Sequence, residues 1–219
     1  MKAVILCAGK GTRMGDLTRD TPKPLLLYKE KTLIEHKLDA LPDNVEEVIL
    51  VIGYLGNKIK KYFGEEWKGR KITYIEQSEM LGTAHALFEA KHHLDRPFIV
   101  LMGDDLYGKE DLSSFSQNKD WAILVERPEG SQSGGKIIAN EEGNLKEIVE
   151  DKDGSILDGL LYTGACLLTP EVFDLEMTKL PNGKEYGLPQ TFSKAASTRP
   201  IKIQHATFWK RITSPEDLI

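Results

Sequence analysis

Residues 6–14 read Leu6-Cys7-Ala8-Gly9-Lys10-Gly11-Thr12-Arg13-Met14, an apolar run that opens into two glycines, a hydroxyl and an arginine. Gly9 and Gly11 let successive backbone N–H groups turn toward one point and form a nest for an anion. Arg13 adds a planar fork of donors suited to phosphate oxygens. The segment also suits an ordinary glycine-rich turn with solvated charges. It is no Walker A loop, because Gly11 is followed by Thr12-Arg13 and not by Lys-Ser/Thr. It also lacks the third glycine of the dinucleotide fingerprint. A further cation, Lys23, lies between Pro22 and Pro24. Two proline rings stiffen the chain and reduce the entropy lost in holding one ammonium beside a phosphate; a surface lysine in a proline turn reads the same way. Met102-Gly103-Asp104-Asp105 ends another apolar run. A carboxylate placed there can hold Mg²⁺ against triphosphate oxygens, or cap a helix. Asp105 reads as a solvated loop acid.

The elements that must carry these groups are legible as runs. Ala3–Ala8, Val48–Ile52, Phe98–Met102 and Trp121–Val125 are continuous, Val- and Ile-rich and strand-length, with Ile72–Ile75 a weaker fifth. Apolarity without alternation means burial on both faces, as in a parallel sheet. Helical patterns lie between them. Thr32 is expected to cap a helix through Leu33, Ile34, Leu38 and Leu41, Asn57 to open one through Ile59 and Phe63, and Thr83 to cap one through Leu87 and Phe88. Strand alternating with helix predicts an α/β fold. After Arg127 the pattern changes. Residues 129–135 read as a turn-rich loop, Lys136–Ala139 and Asn144–Glu150 as a hairpin, and Leu160–Leu168 as a strand. Leu188–Ala196 reads as a helix, Ile201–Gln204 as a strand, and Ser214-Pro215 as the opening of a last helical turn. No internal repeat or linker interrupts the chain, so one domain over residues 1–219 is expected.

Composition narrows the function. Twenty-nine Lys and Arg against 34 Asp and Glu give a net charge of −5, which offers no footprint for nucleic acid or anionic membrane. No apolar run reaches the length of a bilayer span, and the basic, apolar start breaks into the glycine loop without a cleavage pattern, so a cytoplasmic location is expected. Cys7 and Cys166 make neither a disulfide framework nor a zinc site. His85, His92 and His93 lack the companions of a metal site and read as core or surface histidines.

Ala-Gly-x-Gly-Thr-Arg-Met followed by Pro-Lys-Pro-Leu resembles the opening of the sugar-1-phosphate nucleotidyltransferases, the NDP-sugar pyrophosphorylases. Glu76-Gln77-Ser78-Glu79-Met80-Leu81-Gly82-Thr83-Ala84-His85-Ala86 is similar to that family's base-reading segment. The resemblance is strongest to the N-acetylglucosamine-1-phosphate uridylyltransferases and glucose-1-phosphate thymidylyltransferases, and it covers nearly the whole chain. It implies a Rossmann-like, glycosyltransferase-A-like fold: a mixed, mostly parallel sheet flanked by helices. It implies an NTP-binding half at 1–127 and a sugar-phosphate-binding half at 128–219. It assigns Leu6, Ala8, Gly9, Gly11, Thr12, Arg13, Gln77, Gly82, Thr83 and Gly103 to the nucleotide. Gln77 carries both a donor and an acceptor, as a pyrimidine edge requires. It assigns Gly135, Glu150 and Thr163 to the sugar, with Lys23 and Lys152 on its phosphate, and makes Asp104 the ligand of Mg²⁺. Thr163 is read as standing where Asn is usual. In Trp209-Lys210-Arg211-Ile212-Thr213-Ser214-Pro215-Glu216-Asp217-Leu218, Arg211 replaces the aspartate that serves the family as second metal ligand. Arg211 is therefore expected to supply positive charge directly, as a catalytic group beside Arg13, Lys23 and Asp104.

The expected reaction joins an NTP, UTP or dTTP by preference, to a sugar 1-phosphate with release of pyrophosphate. A CTP-dependent enzyme acting on a non-sugar phosphate, and a weakly active regulatory homologue that binds nucleotide sugars, are the alternatives. NTP and sugar 1-phosphate are the expected partners. The oligomeric state, homo-oligomer included, stays open.

Overall fold

The computed structural model describes residues 1–130, 132–156 and 159–219. The continuous apolar runs become the middle of one sheet. β1 (Lys2–Cys7) runs parallel to both β2 (Glu47–Ile52) and β4 (Phe98–Met102), and β2 runs parallel to β3 (Arg70–Glu76). Burial on both faces is visible within β1. Ala3 and Ile5 pack with Ile34 and Leu38 of α1 (Leu33–Ala40) and with Ile59 and Phe63 of α2 (Gly56–Phe63). Val4 and Leu6 pack on the other side with Leu87 of α3 (Gly82–Glu89). Each such Val, Leu, Ile or Phe side chain removed from water is worth about 1.5–3 kcal/mol.

The second half completes the sheet with reversed strands. β5 (Asp105–Tyr107) and α4 (Lys109–Phe115) lead to β6 (Ala122–Glu126); β7 (Gly134–Ala139) and β8 (Leu145–Asp151) form the expected hairpin. β9 (Leu160–Leu168) pairs antiparallel with β4, β6 and β7. α5 (Leu188–Phe192) continues as a 3-10 turn at Ser193–Ser197, and β10 (Lys202–His205) runs parallel to β6. Among the described residues the sheet has ten strands: eight in the order β8-β7-β9-β4-β1-β2-β3 with a short edge strand beyond β3, and off that path β6, paired with β9, and β10, paired with β6. β11 (Trp209–Arg211) pairs apart with β5, placing Arg211 opposite Asp105.

The helix starts differ from expectation in two places. Thr32 caps α1 as read, in a capping box with Glu35. α2 begins at Gly56, not Asn57, because Leu55 takes a left-handed conformation that turns the chain in. α3 begins at Gly82, so Thr83 is no cap; its hydroxyl instead accepts from the Leu188 amide at 3.0 Å. The loop after β6 is also shorter than read, since Gly134 and Gly135 already belong to β7.

Candidate active site

β1 ends at Cys7, and the chain past it lines a cleft of about 640 Å³. Leu6, Ala8, Gly9, Gly11, Thr12, Arg13, Lys23, Gln77, Gly82, Thr83, Gly103 and Asp104 all line this one cleft. Gly11 has φ +65, and a β-carbon there would lie 2.8 Å from Lys23 Cβ, so only glycine both turns the loop and lets Lys23 pass beneath it. Among the described residues, the N–H groups of Gly9, Lys10 and Gly11 have no protein acceptor, so they are free to meet solvent or a bound anion. Gly103 lets the ends of β1 and β4 close on each other. Its amide donates to Leu6 O at 2.9 Å, and a β-carbon would sit 2.4 Å from that oxygen.

Lys23 is only 6% exposed, held between its two prolines. Its ammonium meets Asp104 Oδ2 at 2.6 Å, while Asp104 keeps 36% of its side chain open to solvent. Behind this pair lies a second layer that sequence reasoning missed. Asp105 is buried, not solvated as read; burial, then the neighbouring charge of Asp104, push its carboxyl up to about 8. Lys37, on α1, is wholly buried and donates to Leu33 O at 2.9 Å. Burial lowers its ammonium to about 8, against the pull of Cys7, Asp104 and Asp105. Burial likewise lifts the Cys7 thiol to about 12, which leaves it unreactive. The signal for Lys37 was its spacing: one turn after Leu33, it falls on the apolar face of α1.

Gln77 follows β3 and is 4% exposed. Its Nε2 donates to Gly82 O at 3.0 Å and lies 3.2 Å from His85 Nδ1. Gly82 holds φ +92 with its α-carbon against the Tyr186 backbone; a β-carbon would lie 2.5 Å from Tyr186 O.

The residues assigned to the sugar stand outside this cleft. Gly135 faces Glu150 across the β7–β8 ladder, and Glu150 and Lys152 are exposed. Thr163 corrects the expectation: it is 1% exposed and its hydroxyl donates to Leu124 O at 2.8 Å, so it is turned into the sheet. The physical reason is a kink in β9. Gly164, at φ +82, sits on Met102, while Tyr107 Oη donates to Thr163 O and accepts from the Met102 amide. Arg211 lines an adjacent cavity of about 580 Å³ that shares Arg13 with the main cleft. Its Nη1 donates to Ser133 O at 2.8 Å, and among the described residues no carboxylate pairs with it.

Asp104 and Asp105 do not make a closed protein cage, and no group of three or more His, Cys, Asp or Glu is poised for a metal among the described residues. Asp104, a reachable carboxylate in the same cleft as the glycine loop, fits Mg²⁺, which takes most of its ligands from water and substrate phosphates.

Residues 2–218 match the family described as Nucleotidyl transferase, so the chain belongs to that family. The UTP–glucose-1-phosphate uridylyltransferase AglF of Haloferax volcanii is 31% identical over 227 residues, covering 99% of this chain and 93% of the relative. A probable glucose-1-phosphate cytidylyltransferase of Bacillus subtilis is 31% identical over 246 residues, covering 100% and 94%. The names of both relatives describe sugar-1-phosphate nucleotidyltransferases, the class that this chain's motifs resemble. The bifunctional protein GlmU of Methanocaldococcus jannaschii is 29% identical over 221 residues, and the chain spans 53% of its length. A solved UDP-glucose pyrophosphorylase complexed with UDP-glucose shares the fold, with TM-score 0.83 at 21% identity over 100% of this chain and 95% of that one. No helix among the described residues is long and apolar enough to cross a membrane.

Proposed function

We propose that this enzyme joins a pyrimidine nucleoside triphosphate, UTP or dTTP by preference, to a sugar 1-phosphate. The carrying observation is the single cleft that collects the glycine loop, Lys23, Asp104, Gln77 and Gly82. A sugar-phosphate oxygen attacks the α-phosphorus, and the bond to the β-phosphate oxygen breaks to release pyrophosphate. The attacking oxygen is already anionic near neutral pH, so no general base is required. Catalysis then consists of positioning and charge stabilisation.

The N–H groups of Gly9 to Gly11 and the Arg13 fork hold the β- and γ-phosphates. Lys23 neutralises charge at the α-phosphate or on the incoming phosphate. Asp104 would hold Mg²⁺, which when bound would supply positive charge to the triphosphate. Arg211, a cation without a carboxylate partner among the described residues, adds charge from the hairpin side, where the family pattern has a second metal ligand. Gly135, Glu150 and Lys152 hold the sugar and its phosphate, contributed by the second half of the chain.

A second reading, CTP as donor, is favoured by the cytidylyltransferase name of the Bacillus subtilis relative. The experiment is pyrophosphate release over UTP, dTTP, CTP, GTP and ATP against a panel of sugar 1-phosphates, with inositol phosphate and phosphocholine included. Turnover with a pyrimidine triphosphate and a sugar 1-phosphate supports the proposal. Preference for a purine triphosphate, or for a non-sugar acceptor, overturns it. Nucleotide-sugar binding without turnover points to the regulatory alternative.

A further inference from the structure

We infer that His85 and Glu89 on α3 are positioning residues that fix which atom of Gln77 faces the nucleobase; the inference rests on the cleft being the nucleotide site. A glutamine amide has nearly the same shape either way round, so its hydrogen-bond partners decide its orientation. Gly82 O can only accept, so the amide atom 3.0 Å away is the nitrogen, Nε2. The same Nε2 lies 3.2 Å from His85 Nδ1. Two N–H groups face two acceptors only if His85 Nδ1 carries a lone pair. The imidazole proton is then on Nε2, which lies 3.3 Å from Glu89 Oε1, so the carboxylate's charge favours a proton on that nitrogen.

The relay runs from the Glu89 carboxylate through the His85 ring to the Gln77 amide. Helical spacing allows it: His85 and Glu89 are i and i+4 on one face of α3, and Gly82 opens the same helix. His85 keeps 17% of its side chain exposed, Glu89 keeps 41%, and Gln77 is 4% exposed at the wall of the cleft.

With both N–H groups engaged, Gln77 offers the cleft only its Oε1, an acceptor. Among the described residues the Gly82 amide has no protein acceptor and adds a donor close by. The base must therefore bring an N–H to Oε1 and an acceptor to Gly82. Without His85, one Gln77 N–H is released, and the amide can meet a base that presents an acceptor at that point. Base choice then relaxes, because the penalty for a mismatched edge is a buried group left unpaired.

The test compares kcat/KM for UTP and CTP in the parent, His85→Phe, His85→Asn and Glu89→Ala. Phenylalanine keeps a ring and removes the acceptor. Asparagine places a carbonyl oxygen near the position of Nδ1 and can still accept. The inference expects His85→Phe to lower the parent's UTP-to-CTP ratio, or its inverse, about tenfold, the scale of one hydrogen bond. It expects most of that change in KM, His85→Asn to restore most of the ratio, and Glu89→Ala to fall between. A ratio within twofold of the parent in His85→Phe overturns it, and so does loss spread equally over both nucleotides that asparagine fails to rescue. If the parent turns over no pair, the proposed reaction fails while the same ratios, read as Kd for UTP and CTP by calorimetry, still decide the relay. A parent that shows no preference between the two nucleotides in either assay also overturns it.

Discussion

Asp104 and Asp105 are adjacent in sequence and differ in surroundings. Asp104 pairs with Lys23 at the cleft wall and stays partly open, whereas Asp105 is buried over Lys37. Asp104→Asn keeps the size of the side chain and removes the charge opposite Lys23. Turnover is expected to drop by at least about 10²-fold, the scale of losing one charge-stabilising group, with the dependence on added Mg²⁺ flattened. Parent-like rates at limiting Mg²⁺ would remove Asp104 from the metal site. For Asp105 the prediction concerns stability. Its folded value, about 8, lies above the ordinary carboxyl value of 3.8, so the folded state binds the proton more tightly. That contribution is complete below the unfolded value and is lost as pH rises to about 8. Asp105→Asn cannot ionise, so its Tm is expected to gain on the parent's as pH climbs from about 5 to about 9. A Tm difference that stays flat over that range would mean Asp105 is already ionised in its niche. At this scale the sequence was legible wherever backbone geometry forces a residue type. The glycines at Gly11, Gly82 and Gly103 sit where a β-carbon would strike the chain, and all three were singled out. Thr163 was misread because its direction depends on the kink at Gly164, which no local pattern of polar and apolar residues reveals.

The elements read well where burial is two-sided and poorly where a left-handed residue starts a helix. Leu160–Leu168 matches β9 residue for residue, because a run buried by both neighbours needs no periodicity to be recognised. The starts of α2 and α3 depend on Leu55 and Gly82 at positive φ, a choice made by the preceding strand ends. The hairpin β7–β8 was also visible, but its attachment was not. Arg211, from β11, holds Ser133 just before the first glycine of β7, which ties the hairpin to the strand pair that begins at Asp105. Arg211→Ala is expected to speed amide exchange over residues 133–137 and to lower turnover on the order of 10²-fold. Arg211→Lys keeps a charge without the planar fork, and so should recover part of the rate. Parent-like exchange and turnover in Arg211→Ala would leave Arg211 a solvated surface cation. Thr32→Ala removes the capping box of α1, the helix that carries Lys37. It is expected to cost about 1 kcal/mol in a denaturant titration while leaving base preference intact.

At the scale of the whole molecule, one sheet crosses the boundary at residue 128 that the sequence reading drew between a nucleotide half and a sugar-phosphate half. β6, before residue 128, pairs with β9 and β10 after it, and β9 also pairs with β4. Neither half can lose its strands without exposing the other's core, so thermal unfolding is expected as a single transition. Ligand binding at the cleft should then stabilise the entire chain. A ligand that binds only the folded state at a hundred times its Kd adds about 2.7 kcal/mol. For a chain of this size, each kcal/mol moves Tm by about 2–4 °C, which sets the expected rise at about 5–11 °C. UTP with Mg²⁺ should give this shift in the parent. In Asp104→Asn the increment specific to Mg²⁺ should vanish, while a smaller rise with UTP alone persists, because the glycine loop, Arg13 and Lys23 still meet the phosphates. Melts with UTP, Mg²⁺, both or neither separate these contributions in one plate. Two resolved transitions would show that the halves unfold independently. An Asp104→Asn protein that keeps the full Mg²⁺-dependent rise would place the cation on some other group in the cleft.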